Sequence, residues 1–194
     1  VCCMTGRRCR RSGYRPSRGR ASERGSGTGT PGHAEEKRAG MNINAEYVNP
    51  FLEAAGAVFK SVVGVDLKRG KLSIKESPEP SHEVAILIGI TGSISGEVVY
   101  SMGYNMVYKI AEILAPGLTE AQMKTEYKDI IGELANMITG NAMNIFAYAG
   151  KRIEITTPTV IDGKNFTITH VKQTTLAISL YSPFGQLEMN VALK

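Results

Sequence analysis

Asp129, Glu133, Asn136 and Gly140 stand four, three and four positions apart in one stretch of this 194-residue chain. On a helix turning about 100° per residue they fall within roughly 60° of one another, as a single polar stripe. Asn is a poor residue for a helix interior, because its amide competes with the backbone for hydrogen bonds. Here it sits mid-pattern, with a Glu one turn earlier and, one turn later, a Gly that removes side-chain bulk. Two readings stay open at this level: a solvated helix face, or a carboxylate, an amide and a gap arranged for insertion into another protein's site.

Other chemistries are excluded by residue type. Cys2, Cys3 and Cys9 all lie near the start of the chain, so the remainder has no thiol nucleophile, disulfide framework or thiolate metal site. Their spacing matches no standard zinc pattern. His33, His82 and His170 are scattered and give the chain no metal site of its own. There is no phosphate-loop glycine pattern and no Ser in a strained elbow sequence.

The stripe needs a helix to carry it, and the apolar residues around it supply one. From Thr119 onward Met123, Tyr127, Ile130, Ile131, Leu134, Met137, Ile138 and Ile145 recur at helical steps, with Glu120 in the first turn. Met102, Met106, Met123 and Met137 read as packing residues. An earlier helix is predicted over 45–63, from Val48, Phe51, Leu52, Ala55, Val58, Phe59 and Val62, ending at Gly64. Another is predicted over 104–114, stopped by Ala115-Pro116-Gly117.

Strand-like patterns occupy 67–75, 83–91 and 95–102, and later 160–161, 166–171, 174–181 and 186–193. Gly92, Asp162-Gly163 and Pro183-Phe184-Gly185 read as turns. The expected fold class is α+β, an antiparallel sheet with long helices packed on it. Shifting the chain by 80 residues places Glu53 on Glu133, Ala55 on Ala135, Gly56 on Asn136, Val58 on Ile138 and Pro78 on Pro158. The halves therefore read as a duplicated unit whose first copy keeps the Glu and has Gly where the second has Asn. The last two strand patterns are expected to leave a sheet edge open, which pairing in a homodimer would cover.

Charge divides the chain near residue 40. The first forty residues hold nine Arg and one Lys against three Glu, while the rest holds 13 basic and 15 acidic side chains of the totals of 23 and 18. A basic nucleic-acid-binding surface is thereby excluded for residues 41–194. Residues 1–40 are Arg-, Ser- and Gly-rich and nearly free of large aliphatic residues, so the segment is expected to be a disordered basic tail or a non-native extension. Apolar runs such as Val84 to Ile88 are far shorter than the roughly 20 residues that span a bilayer. The start of the chain lacks the apolar stretch of a secretory signal. The expected compartment is the cytoplasm, with the Asn165-Phe166-Thr167 sequon unmodified.

The segment Asp129-x3-Glu133-x2-Asn136, with Pro158 some 22 positions on, resembles the signature of the CheC/CheX/FliY chemotaxis phosphatases. Gly140-Asn141-Ala142, and Ser95-Gly96-Glu97-Val98 through Ser101-Met102, are similar to that family as well, and the resemblance spans residues 41–194. With Gly56 in place of a second Asn, the chain is similar to single-motif, CheX-like members. The resemblance implies hydrolysis of the aspartyl phosphate on a CheY-like response regulator. Asn136 would orient the attacking water, since an amide both donates and accepts. Glu133 would pair with the regulator's active-site Lys. Asp129 would support docking, and Pro158 would shape the adjoining turn. The Mg²⁺ would belong to the regulator, and single-motif members are expected to be homodimers. The alternative is a non-catalytic regulator-binding or flagellar-switch-like interaction module.

Overall fold

The computed structural model describes residues 45–163 and 174–194. The segment 1–40, with its three cysteines and His33, lies outside the described residues, as do the expected strand 166–171, His170 and the Asn165 sequon.

Helix α1 (Ala45–Val58) continues through one π-helical turn, Phe59–Val63, and stops at Gly64 with φ 77°. The strands β1 (Lys68–Lys75), β2 (Val84–Gly92) and β3 (Gly96–Met102) follow. Next come α2 (Tyr104–Leu114) and the 29-residue α3 (Glu120–Tyr148). The chain ends in β4 (Ile153–Ile155), β5 (Thr159–Asp162), β6 (Thr175–Ser182) and β7 (Gly185–Leu193). The expected helices and most expected strands form within a residue or two of their predicted limits. β4 was not foreseen, and Asp162 closes β5 rather than sitting in a turn.

All strand pairs are antiparallel, in the order β1-β6-β7-β3-β2, with β4 and β5 both on the far side of β2. That order bears out the duplication. Exchanging β1 with β4/β5, β2 with β6 and β3 with β7 leaves it unchanged, about a centre between β3 and β7. The helices agree: Glu53 and Glu133 are exposed, Gly56 and Asn136 half-buried, Ala57 and Met137 exposed, and Val58 and Ile138 buried.

One expectation fails. The last two strands leave no open edge, because β6 and β7 lie inside the sheet and the outer strands are β1 on one side and β4/β5 on the other. Glu188, on the interior strand β7, is buried.

Alternation along the strands sends Ile86, Ile88, Val98, Tyr100, Ile178, Leu187 and Met189 toward the helices. There they meet Phe51 and Phe59 of α1 and Ile131, Leu134, Ile138 and Phe146 of α3. Each fully buried side chain of this size contributes roughly 1.5–3 kcal/mol. On the other face, the Glu188 carboxylate accepts hydrogen bonds from Lys75 Nζ at 2.7 Å, Ser81 Oγ at 2.8 Å and Asn190 Nδ2 at 2.9 Å. These bonds fasten the loop between β1 and β2 to the sheet.

Candidate functional site

Helix α3 is fixed at its start, its middle and its side. At the start Thr119 forms a capping box with Gln122: Thr119 Oγ1 accepts from the Gln122 N–H, and Gln122 Oε1 accepts from the Thr119 N–H. In the middle the buried Thr139 donates to the Ala135 carbonyl at 2.8 Å, which leaves Tyr100 of β3 to donate to Thr139 Oγ1 at 2.9 Å. Beside α1, Phe51 meets Phe146 edge-on with ring centres 5.7 Å apart. The Tyr100–Thr139 bond joins the helix to the sheet. With Ile131, Leu134 and Ile138 buried toward the core, the ridge 129–133–136–140 lies on the opposite side of the helix.

Along that ridge Asp129 and Glu133 are exposed, and Asn136 and Gly140 are half-buried. Among the described residues, none hydrogen-bonds or ion-pairs with Asp129, Glu133 or Asn136. A carboxylate and an amide one turn apart are thus both free to engage something outside the molecule. A Cβ added at Gly140 would meet nothing within 4 Å, so the fold itself does not require glycine there.

Pro158 is brought to the ridge by the sheet. It stands in the break between β4 and β5, where the Thr156 hydroxyl accepts the Gly89 N–H at 2.9 Å. From there it approaches α3 at Gly132, one turn before Asn136. A Cβ on Gly132 would lie 3.9 Å from Pro158 Cβ and 3.4 Å from Val160 Cγ2. Pro158 thus lies in the connection between two strands, and Gly132 is the neighbour the sequence reading missed. Its signal was a second glycine inside an otherwise strong helix.

Met137 also differs from expectation. Read as a packing residue, it is 36% exposed and stands one position after Asn136 and one turn after Glu133. The remaining apolar residues behave as expected, with Ile131, Leu134 and Ile138 buried and Ile130 half-buried.

Nearer the start of α3, the Asp162 carboxylate joins β5 to the helix. It pairs with Lys128 at 2.5 Å and accepts hydrogen bonds from Tyr127 at 2.6 Å and Tyr104 at 3.3 Å. The Lys128 ammonium first, and then the Tyr127 hydroxyl, hold the Asp162 carboxyl below its ordinary range. No local pattern announces this cluster, because its members come from three elements. Among the described residues, no group of three or more His, Cys, Asp or Glu is placed to hold a metal ion. No helix of the described residues is long and apolar enough to cross a membrane.

The family described as Chemotaxis phosphatase CheX matches residues 84–180, half of the chain and all of α3. The chain belongs to this family. It is 31% identical over 126 residues to the CheY-P phosphatase CheX of Thermotoga maritima, covering 65% of this chain and 81% of that relative. The crystal structure of CheX from Desulfovibrio desulfuricans superposes with a TM-score of 0.69 at 25% identity, covering 77% of this chain and 99% of that one. The CheX-CheY-BeF₃-Mg²⁺ complex from Borrelia burgdorferi gives 0.64 at 25% identity, covering 76% and 97%. The resemblance read from Asp129, Glu133, Asn136 and Pro158 therefore stands, and with it the α+β, CheX-like fold.

Proposed function

We propose that this CheX-family chain hydrolyses the aspartyl phosphate of a CheY-like response regulator, and that the ridge of α3 is the surface that does it. The observation that carries the reading is the pair Glu133 and Asn136: one turn apart, reachable from solvent and without partners among the described residues, on a helix whose opposite side, with Ile131, Leu134 and Ile138, is buried. In the reaction a water oxygen attacks phosphorus, the bond from phosphorus to the regulator's aspartate oxygen breaks, and inorganic phosphate leaves. An acyl phosphate is already activated, so the chain has to supply little beyond position. The Asn136 carbonyl accepts from the attacking water and its NH₂ donates toward the phosphoryl oxygens. Glu133 pairs with a regulator lysine and fixes the docked pose. Asp129 extends the acidic stretch by one turn, and Gly140 leaves clearance on the other side of Asn136.

The Mg²⁺ is assigned to the regulator, since the ridge offers only Asp129 and Glu133 as anionic oxygens. A cytoplasmic setting is part of the proposal, because that is where a two-component regulator carries its acyl phosphate. A purely non-catalytic interaction module leaves the unpartnered Asn136 amide without a use. The test is loss of phosphate from a CheY-type receiver domain, phosphorylated with acetyl phosphate, on adding the chain.

We also take the working particle to be a homodimer. What supports this is β1, an outer strand whose Leu72 and Ile74 pair with the core residues Ile178 and Leu176 and are yet 46% and 62% exposed. Light scattering at micromolar concentration should give twice the 21.0 kDa of one chain. A mass of one chain would refute pairing.

A further inference from the structure

Met137 stands beside the ridge, and neither the fold nor the chemistry above has a use for it. Met123, Ile130 and Met143 of the same helix are half-buried against the core, whereas Met137 is 36% exposed. The internal repeat provides a control. Ala57, its counterpart in α1, is equally on the outside, so the architecture is satisfied by a methyl group at that place. A single exposed apolar side chain is ordinary in itself; what sets Met137 apart is its place beside Glu133.

Its position is constrained by the residues around it. Met137 lies about 40° around the helix from Glu133, on the side away from Asn136, and one turn further along the axis. A partner seated on Glu133 has Met137 at its flank. A charge or rigid ring there would hold a partner off, whereas an unbranched, polarisable side chain can settle into whatever relief it meets. We propose that Met137 is a binding residue of the docking surface, an apolar anchor that is desolvated against the phosphorylated receiver domain beside its active site. This rests on the reading of α3 as the regulator-binding ridge. Met137 contributes to holding the regulator and takes no part in the transfer to water.

The probe is a CheY-type receiver domain activated with beryllofluoride and Mg²⁺ for binding, and the same domain phosphorylated with acetyl phosphate for turnover, each with the full chain. Met137→Ala should raise Kd and KM about five- to twentyfold, the size expected when an interface anchor is truncated. It should leave kcat and the melting temperature unchanged. Met137→Leu should stay within about twofold of the parent, and Met137→Gln, which keeps length but not apolarity, should behave like the Ala variant. If Met137→Ala binds normally while Glu133→Lys does not, the anchor is refuted and the ridge stands. If neither variant changes binding, the ridge is not the docking surface and both readings fall. A loss confined to kcat also overturns the proposal.

Discussion

The roles proposed for Asn136 and Glu133 are ones that single substitutions separate. Among the described residues Asn136 has no hydrogen-bond partner, and it is only half-buried, so Asn136→Ala removes no packing of consequence. The expected outcome is a fall in kcat of about a hundredfold or more, with binding and melting temperature retained. Normal turnover by this variant would end the water-positioning role. Glu133→Lys sets a positive charge against the regulator's lysine and should abolish binding, whereas Glu133→Ala should weaken it about three- to tenfold. Titration calorimetry with the beryllofluoride-activated receiver reads both. The shared stripe was legible in the residue types and their spacing, whereas the two roles came from the family resemblance that those residues carry. Met137 was misread because its apolar type was weighted above its angle, although four residues from Glu133 already placed it beside the polar stripe.

Among the elements, α3 and the strap between β1 and β2 each yield a test whose sign is set by the structure. Glycine inside a helix costs about 0.5–1 kcal/mol relative to Ala, and nothing crowds position 140. Gly140→Ala should therefore raise the melting temperature by about 2–4 °C. If the glycine provides clearance, the same change should weaken regulator binding, and a variant both more stable and fully active would show that the clearance is not used. For the strap, burial alone would raise the Glu188 carboxyl, but the bonds from Lys75, Asn190 and Ser81 outweigh it and hold the group below its ordinary value. A depressed carboxyl contributes stability above its unfolded value of about 4.3, and that contribution disappears as pH falls through the lower folded value. Melting temperature should thus drop as pH goes from 5 to 3. Glu188→Gln should lower it at pH 7 and flatten the acid dependence, leaving a residue from Asp162, whose carboxyl is also held low. An unaltered slope would remove Glu188 as the cause.

For the whole molecule, the palindromic sheet order raises the question of whether the first half could work as the second does. Gly56 has open space around it, so Gly56→Asn should fold normally. Activity should nevertheless not appear. Leu52 stands where Gly132 lets Pro158 approach, and Pro78 is buried on its own side of the sheet. The doubly substituted Asn136→Ala, Gly56→Asn chain is expected to release phosphate no faster than Asn136→Ala alone. Faster release would mean that the amide is all the first half lacks.

Local sequence determined the span of each helix, the cap at Thr119, the stop at Gly64 and the shared ridge of Asp129, Glu133, Asn136 and Gly140. It could do so because helix periodicity and capping act over a few residues and leave a mark on each. The 80-residue echo likewise survived as residue identities. What it could not decide were relations between distant segments. The last two strands are interior rather than edges because β1 adds onto β6 and β3 onto β7, and antiparallel strands of similar apolarity carry no local label for their neighbours. Pro158 meets Gly132, and Asp162 gathers Lys128, Tyr127 and Tyr104, only once β5 has joined the sheet under α3. The Tyr100–Thr139 bond, which ties α3 to the sheet, likewise joins residues 39 positions apart. Tertiary structure set these contacts, because their energy exists only after the chain between the partners has been closed.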